Sequence, residues 1–164
     1  MDAQTLAWLD QEDAHTAAMI RSHGRYINYV DCEAAGCGCT DVEGPPFAYT
    51  VGLFGLHHPE LLIFGVPPGT AASVLNDLGE RIRSGENLLP GSLVTLEDWP
   101  RRIIPEPVPN PGEIVFAANR YYARPDEFSV PVLQLSYDDK AGRFPWESGY
   151  SAPESQPRPG TFRA

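Results

Sequence analysis

A chain of 164 residues is the size of one domain and can bury a proper core without disulfide staples. Its 22 acidic against 12 basic residues give a formal charge of -10, which repels nucleic acid and anionic membranes. The 17 prolines and 15 glycines predict short elements and many turns.

The opening "MDAQTLAWLDQED" is acidic and lacks the apolar stretch of a secretory signal. No window reaches the roughly 18 uninterrupted apolar residues of a membrane span. A soluble cytoplasmic protein is expected, with neither nucleic-acid nor membrane partners. Residues 10–23 read as a helix, with Asp10 as cap, Glu12 and Asp13 in the first turn, and Gly24 at the stop. "RYINYV" reads as a strand. Residues 31–46 are acidic, small and glycine-rich, and read as a loop. "FAYTVGL" (47–53) and "PELLIFGV" (59–66) read as strands, antiparallel neighbours because their link is short.

"PPGTAASVLNDLGERIRSGE" gives the clearest helix. Thr70 is its expected cap, and Ala71, Val74, Leu75, Leu78 and Ile82 share one buried face. "SLVTLEDW" reads as a strand and "RRIIPEPV" as a shorter one stopped by prolines. "NPGEIVFAANRYYARP" reads as a helix capped by Asn110, and "VPVLQLSY" as the last strand. Irregular alternation and hairpin-length links point to a single α+β domain over residues 1–150, with a mostly antiparallel central sheet and about three helices. The proline-rich segment 151–164 reads as a mobile or surface-draped tail.

Candidate chemistry begins with "CEAAGCGC", which holds Cys32, Cys37 and Cys39, the only cysteines of the chain. Three soft ligands on a flexible loop suit zinc, which needs a fourth ligand, and His57 or His58 are candidates. The acidic neighbours Asp31, Glu33, Asp41 and Glu43 oppose a reactive thiolate but favour a cation. The bland alternative is an ordinary loop with reduced thiols. In "HHPE", His57, His58 and Glu60 are either ligands or an acid/base pair, or else His58 and Glu60 tie down a turn and open a strand. In "FAYTVGL", alternation sends Tyr49 and Thr50 to opposite faces, one toward a pocket or both into packing. In "GRFPWESGY", Phe144, Trp146 and Tyr150 surround Glu147 with Arg143 near and are candidates for a ligand surface, with Arg120, Tyr121 and Tyr122 contributing. The alternative is that these aromatics pin the terminal segment to the sheet.

The segments "PPFAYTVGL", "HPELLIFGVPP", "LNDLGERIRSGE" and "VLQLSYDDKAGRFPW", in that order, resemble the DUF4262 family of bacterial proteins over roughly residues 15–150. The family is defined by sequence and has no established general activity. The resemblance implies a small soluble bacterial protein and carries over no catalytic residues. The cysteine loop departs from the family pattern, in which this connection is shorter and need not carry cysteines. A fainter similarity, in a strand ending Gly-Leu, a strand opening Pro-Glu-Leu and then an amphipathic helix, links the layout to Suppressor-of-fused-like domains, some of which are immunity proteins that bind a partner. The expected function is therefore a non-enzymatic binding or accessory protein, immunity-like, whose partner is another protein. The alternative is a metal-binding protein or enzyme that uses the cysteine loop, with zinc as the cofactor.

Overall fold

Asp2 caps the first helix: its carboxylate accepts the Thr5 N–H at 2.7 Å. Helix α1 runs Ala3–His23, and Gly24, at φ 84°, ends it with an N–H to the Ile20 carbonyl. The expected start at Asp10 lies well inside this helix. Residues 3–8 are all exposed, so no apolar stripe marks the first turns. The structure, a computed structural model, describes residues 2–31 and 44–164.

Six strands form one sheet: β1 (Tyr26–Val30), β2 (Phe47–Val51), β3 (Glu60–Phe64), β4 (Val94–Leu96), β5 (Trp99–Pro107) and β6 (Val132–Tyr137), in the order β1-β2-β3-β6-β5-β4. Every neighbouring pair is antiparallel except β3 and β6, which run parallel with Glu60 opposite Val132. Two antiparallel meanders thus meet at one parallel seam, and the α+β class with a mostly antiparallel sheet holds.

The continuous apolar run of β3 follows from cover on both faces. Leu61 and Ile63 pack with Ala71, Val74, Leu75, Leu78 and Ile82 of helix α2 (Pro68–Arg83). Leu62 and Phe64 pack on the other side with Val115, Ala118 and Phe162. Each buried Leu or Ile side chain contributes roughly 1.5–3 kcal/mol, so this face, more than any cap, holds α2. Its N-cap is Pro67, with no side-chain bond, and Thr70 is not the cap.

The strand expected to be short in "RRIIPEPV" is longer, because Pro100 and Pro105 do not stop it and it ends only at Pro107. β5 runs nine residues through Pro100, Pro105 and Pro107. Arg102 and Val108 bond across to β6, so by alternation Pro105 and Pro107 aim their nitrogens away from it, where no ladder N–H is needed. The helix expected over 110–125 is also broken. A single turn at Pro111–Glu113 gives way at Ile114 and Val115, which enter the core, and helix α3 covers only Phe116–Tyr121. Asn110 makes no capping bond; its amide donates to Glu113 and to the Phe162 carbonyl.

Residues 151–164 lie against the sheet. The Gln156 side-chain amide bonds both the N–H and the C=O of Tyr137, at 3.0 and 2.9 Å. Arg158 makes a bidentate pair with Glu106 at 2.7 Å. Phe162 sets its edge on Phe47 and Phe64, with ring centroids 5.3 and 4.9 Å away.

Candidate functional site

Glu60 opens β3 and is fully buried. Its carboxylate accepts from the Thr50 hydroxyl at 2.8 Å and from the N–H groups of Gly52, Leu53 and Phe54 at 3.0, 3.0 and 3.1 Å. The local sequence makes this possible. Gly52 sits at φ 133°, and a Cβ there would lie 2.9 Å from the Gly24 carbonyl oxygen, so only glycine lets the chain turn and present three successive N–H groups. The Thr50 hydroxyl passes the bond on, accepting from Leu61 N–H at 2.9 Å. Burial pushes the Glu60 carboxyl up to about 7, against the pull of the four donors.

The same turn holds an aromatic lid. The Gly55 N–H donates to the Tyr122 hydroxyl at 3.1 Å, the Tyr122 ring meets Phe54 edge-on at 4.9 Å, and the Arg124 guanidinium lies 5.3 Å over the Phe54 ring. Burial first, and then the Glu60 charge, raise the Tyr122 phenol well above its ordinary value. Tyr121 stacks edge-on with Tyr122 at 4.8 Å and stays on the rim. Sequence reasoning grouped Arg120, Tyr121 and Tyr122 with the "GRFPWESGY" aromatics and passed over Arg124. Two adjacent tyrosines at a helix end give no sign of which one turns inward.

His58 is buried, and both ring nitrogens are engaged. Nε2 accepts the Leu88 N–H at 3.1 Å, and Nδ1 lies 2.8 Å from the Pro59 carbonyl. An N–H can only donate and a carbonyl can only accept, so the ring is the neutral tautomer with its proton on Nδ1. It has no lone pair left for a metal. His57, at φ 61°, caps the turn at Phe54–Leu56 and faces solvent. Cys32, Cys37 and Cys39 lie outside the described residues. Among the described residues no group of three His, Cys, Asp or Glu side chains is placed to hold a metal ion.

Tyr49 is buried, and its hydroxyl takes the Ala117 N–H at 3.1 Å and the Asn28 amide at 2.8 Å. Thr50 is committed to Glu60. The Phe144 and Trp146 rings stack 4.9 Å apart and nearly parallel, with Arg102 over Phe144 at 5.3 Å and Arg158 over Trp146 at 5.1 Å. Each guanidinium is itself paired, Arg102 with Asp138 and Arg158 with Glu106. The Glu147 carboxylate locks the turn by accepting the Phe144 N–H at 2.7 Å. The candidate aromatics therefore separate into two groups, Tyr121 with the 52–55 turn and Phe144 with Trp146 beside the terminal segment.

One open recess stands beside this second group. It measures about 530 Å³ and lies at the shared C-terminal end of β3 and β6, with Gly65, Tyr137, Tyr150, Arg101 and Lys140 in its lining. Asp139 shapes it, accepting the N–H groups of Ala141, Arg143 and Ser151 at 2.9, 3.0 and 3.0 Å. These bonds hold its carboxyl below the usual range. Gly65, at φ 74°, is required there, since a Cβ would lie 2.5 Å from the Ser155 carbonyl oxygen. Sequence reasoning missed Arg101, Lys140 and Tyr150 as a group because they come from three separate segments.

A family model described as "Domain of unknown function (DUF4262)" matches residues 19–151. No curated protein and no solved structure matches the chain. No helix among the described residues is long and apolar enough to cross a membrane.

Proposed function

The chain belongs to the DUF4262 family, and from that premise, which carries no activity with it, we propose that it is a non-enzymatic binding protein whose ligand occupies the recess at the end of β3 and β6. The supporting observation is the state of Glu60. A general acid or base must offer a lone pair or a proton to its substrate. The Glu60 carboxylate instead spends itself on Thr50, Gly52, Leu53 and Phe54. His58 and Tyr49 are committed in the same way to Leu88, Pro59, Ala117 and Asn28. The groups best suited to chemistry maintain the fold, whereas the recess keeps side chains free for a guest. Its volume falls in the roughly 300–1,000 Å³ span of small-molecule sites.

The test is a small-molecule panel read by melting temperature, followed by recovery of each stabilising compound. The expected result is a compound that raises the melting temperature, shifts the amide resonances of Tyr150 and Ser151, and returns chemically unchanged after long incubation. A compound that is converted during incubation, at a rate lost in Glu60→Gln, overturns the reading in favour of an enzyme.

A further inference from the structure

Resting on that binding reading, we infer that the recess takes a small aromatic phosphomonoester, with the dianionic phosphate held by Arg101 and Lys140 and the ring laid on the tyrosine-lined wall. The argument starts from charge. The chain carries -10 overall, yet Arg101, Lys140 and Arg143 all line this one recess. Its two carboxylates are already committed, Asp138 to Arg102 at 2.7 Å and Asp139 to three backbone N–H groups. Among the described residues Arg101 and Lys140 have no carboxylate partner. Two unpaired cations facing one cavity match two negative charges on one ligand, and a guanidinium with an ammonium suits phosphate oxygens.

The rest of the lining sets the body of the ligand. Tyr137 and Tyr150 supply ring surface, and Ala141 and Ala152 supply small apolar walls. The Tyr137 hydroxyl donates to the Phe64 carbonyl at 2.7 Å, and the Tyr150 hydroxyl is bonded by the Gln156 amide. Both rings are therefore fixed in place with their polar ends occupied; Tyr137 is buried and already meets Trp99 edge-on at 5.0 Å, so the half-buried Tyr150 ring supplies the face for stacking. The global charge also sets the size of the guest. A long polyanion is opposed by the chain's overall negative charge, whereas a single phosphomonoester meets three local cations against two carboxylates that are already bonded.

Phenyl phosphate is the probe, titrated into the full chain and followed by amide resonances, with phenol and inorganic phosphate as its two halves. The expected result is saturable shifts at Ala141, Tyr150 and Ser151, with binding at least tenfold tighter than for either half. Affinity should fall about tenfold in Arg101→Ala and in Lys140→Ala, recover in part in Arg101→Lys, and stay unchanged in Arg21→Ala on α1. Near-UV circular dichroism checks that each variant keeps the native packing. Shifts that ignore both substitutions, or phenol binding as tightly as phenyl phosphate, would overturn the inference. Benzoate matching phenyl phosphate would overturn the dianion. A panel compound that moves the same amides while phenyl phosphate does not removes the ligand class and leaves the binding reading in place. Release of phenol and phosphate during the titration would remove the binding reading itself.

Discussion

The Glu60 carboxylate and the Thr50 hydroxyl lie 2.8 Å apart with both residues fully buried. This contact ties the first residue of β3 to the penultimate residue of β2, and through Gly52, Leu53 and Phe54 it fixes the turn between them. A buried charge is kept only where donors surround it, and four donors do so here.

That geometry predicts a pH dependence with an unusual sign. Glu60 titrates near 7 when folded and near its ordinary value of about 4.3 when unfolded. Between those values the folded state binds more protons, so stability falls as pH rises through this window and is level above it. The contribution is about 4 kcal/mol across the window. Urea unfolding of the wild type and of Glu60→Gln at several pH values measures it as the difference between the two curves. A difference that grows in the opposite direction would mean that the four donors outweigh burial.

Gly52→Ala should lower stability by roughly 2–3 kcal/mol. The new Cβ meets the Gly24 carbonyl oxygen and Arg25 Cα, and the φ of 133° is strained for any L side chain. Chemical denaturation gives the value, and Gly69→Ala in the open first turn of α2, where a Cβ meets nothing, serves as the control.

His58→Ala should cost about 2 kcal/mol by leaving the Leu88 N–H buried without an acceptor. Because both ring nitrogens serve the fold, the zinc content of protein purified without a histidine tag should be the same in wild type and variant. Zinc lost with His58 would return the ring to the ligand set.

Gln156→Ala should cost roughly 2–3 kcal/mol, since it strips partners from both backbone groups of Tyr137. Hydrogen exchange provides a second readout: the Tyr137 N–H, which donates to Gln156, should exchange slowly in the wild type and fast in the variant.

Much of this architecture is legible in the residues. Helix α2 is visible because its apolar positions recur at i, i+3 and i+4, and β2 and β3 because their runs are bounded by glycine and proline. Helix α1 starts earlier than its pattern because Asp2 caps it while the side chains of its first turns stay exposed. The segment after Asn110 has helical composition, but Ile114 and Val115 gain more from entering the core than from continuing the helix, a tertiary preference that local sequence does not carry. The recess is the least legible feature. Arg101, Lys140 and Tyr150 become neighbours only once β5 pairs with β6 and the terminal segment folds back.

The parallel seam has a kinetic consequence. Each meander pairs strands that lie closer in sequence than those of the seam, and such pairings form earlier. The seam joins Glu60 to Val132, so the entire excursion through α2, β4, β5 and α3 must be closed before β3 and β6 can zip. Loop-closure entropy places that step late and makes it the slow one. Chevron analysis would locate it, with Leu62→Ala at the seam slowing folding and Ile27→Ala on the outer strand β1 mainly hastening unfolding.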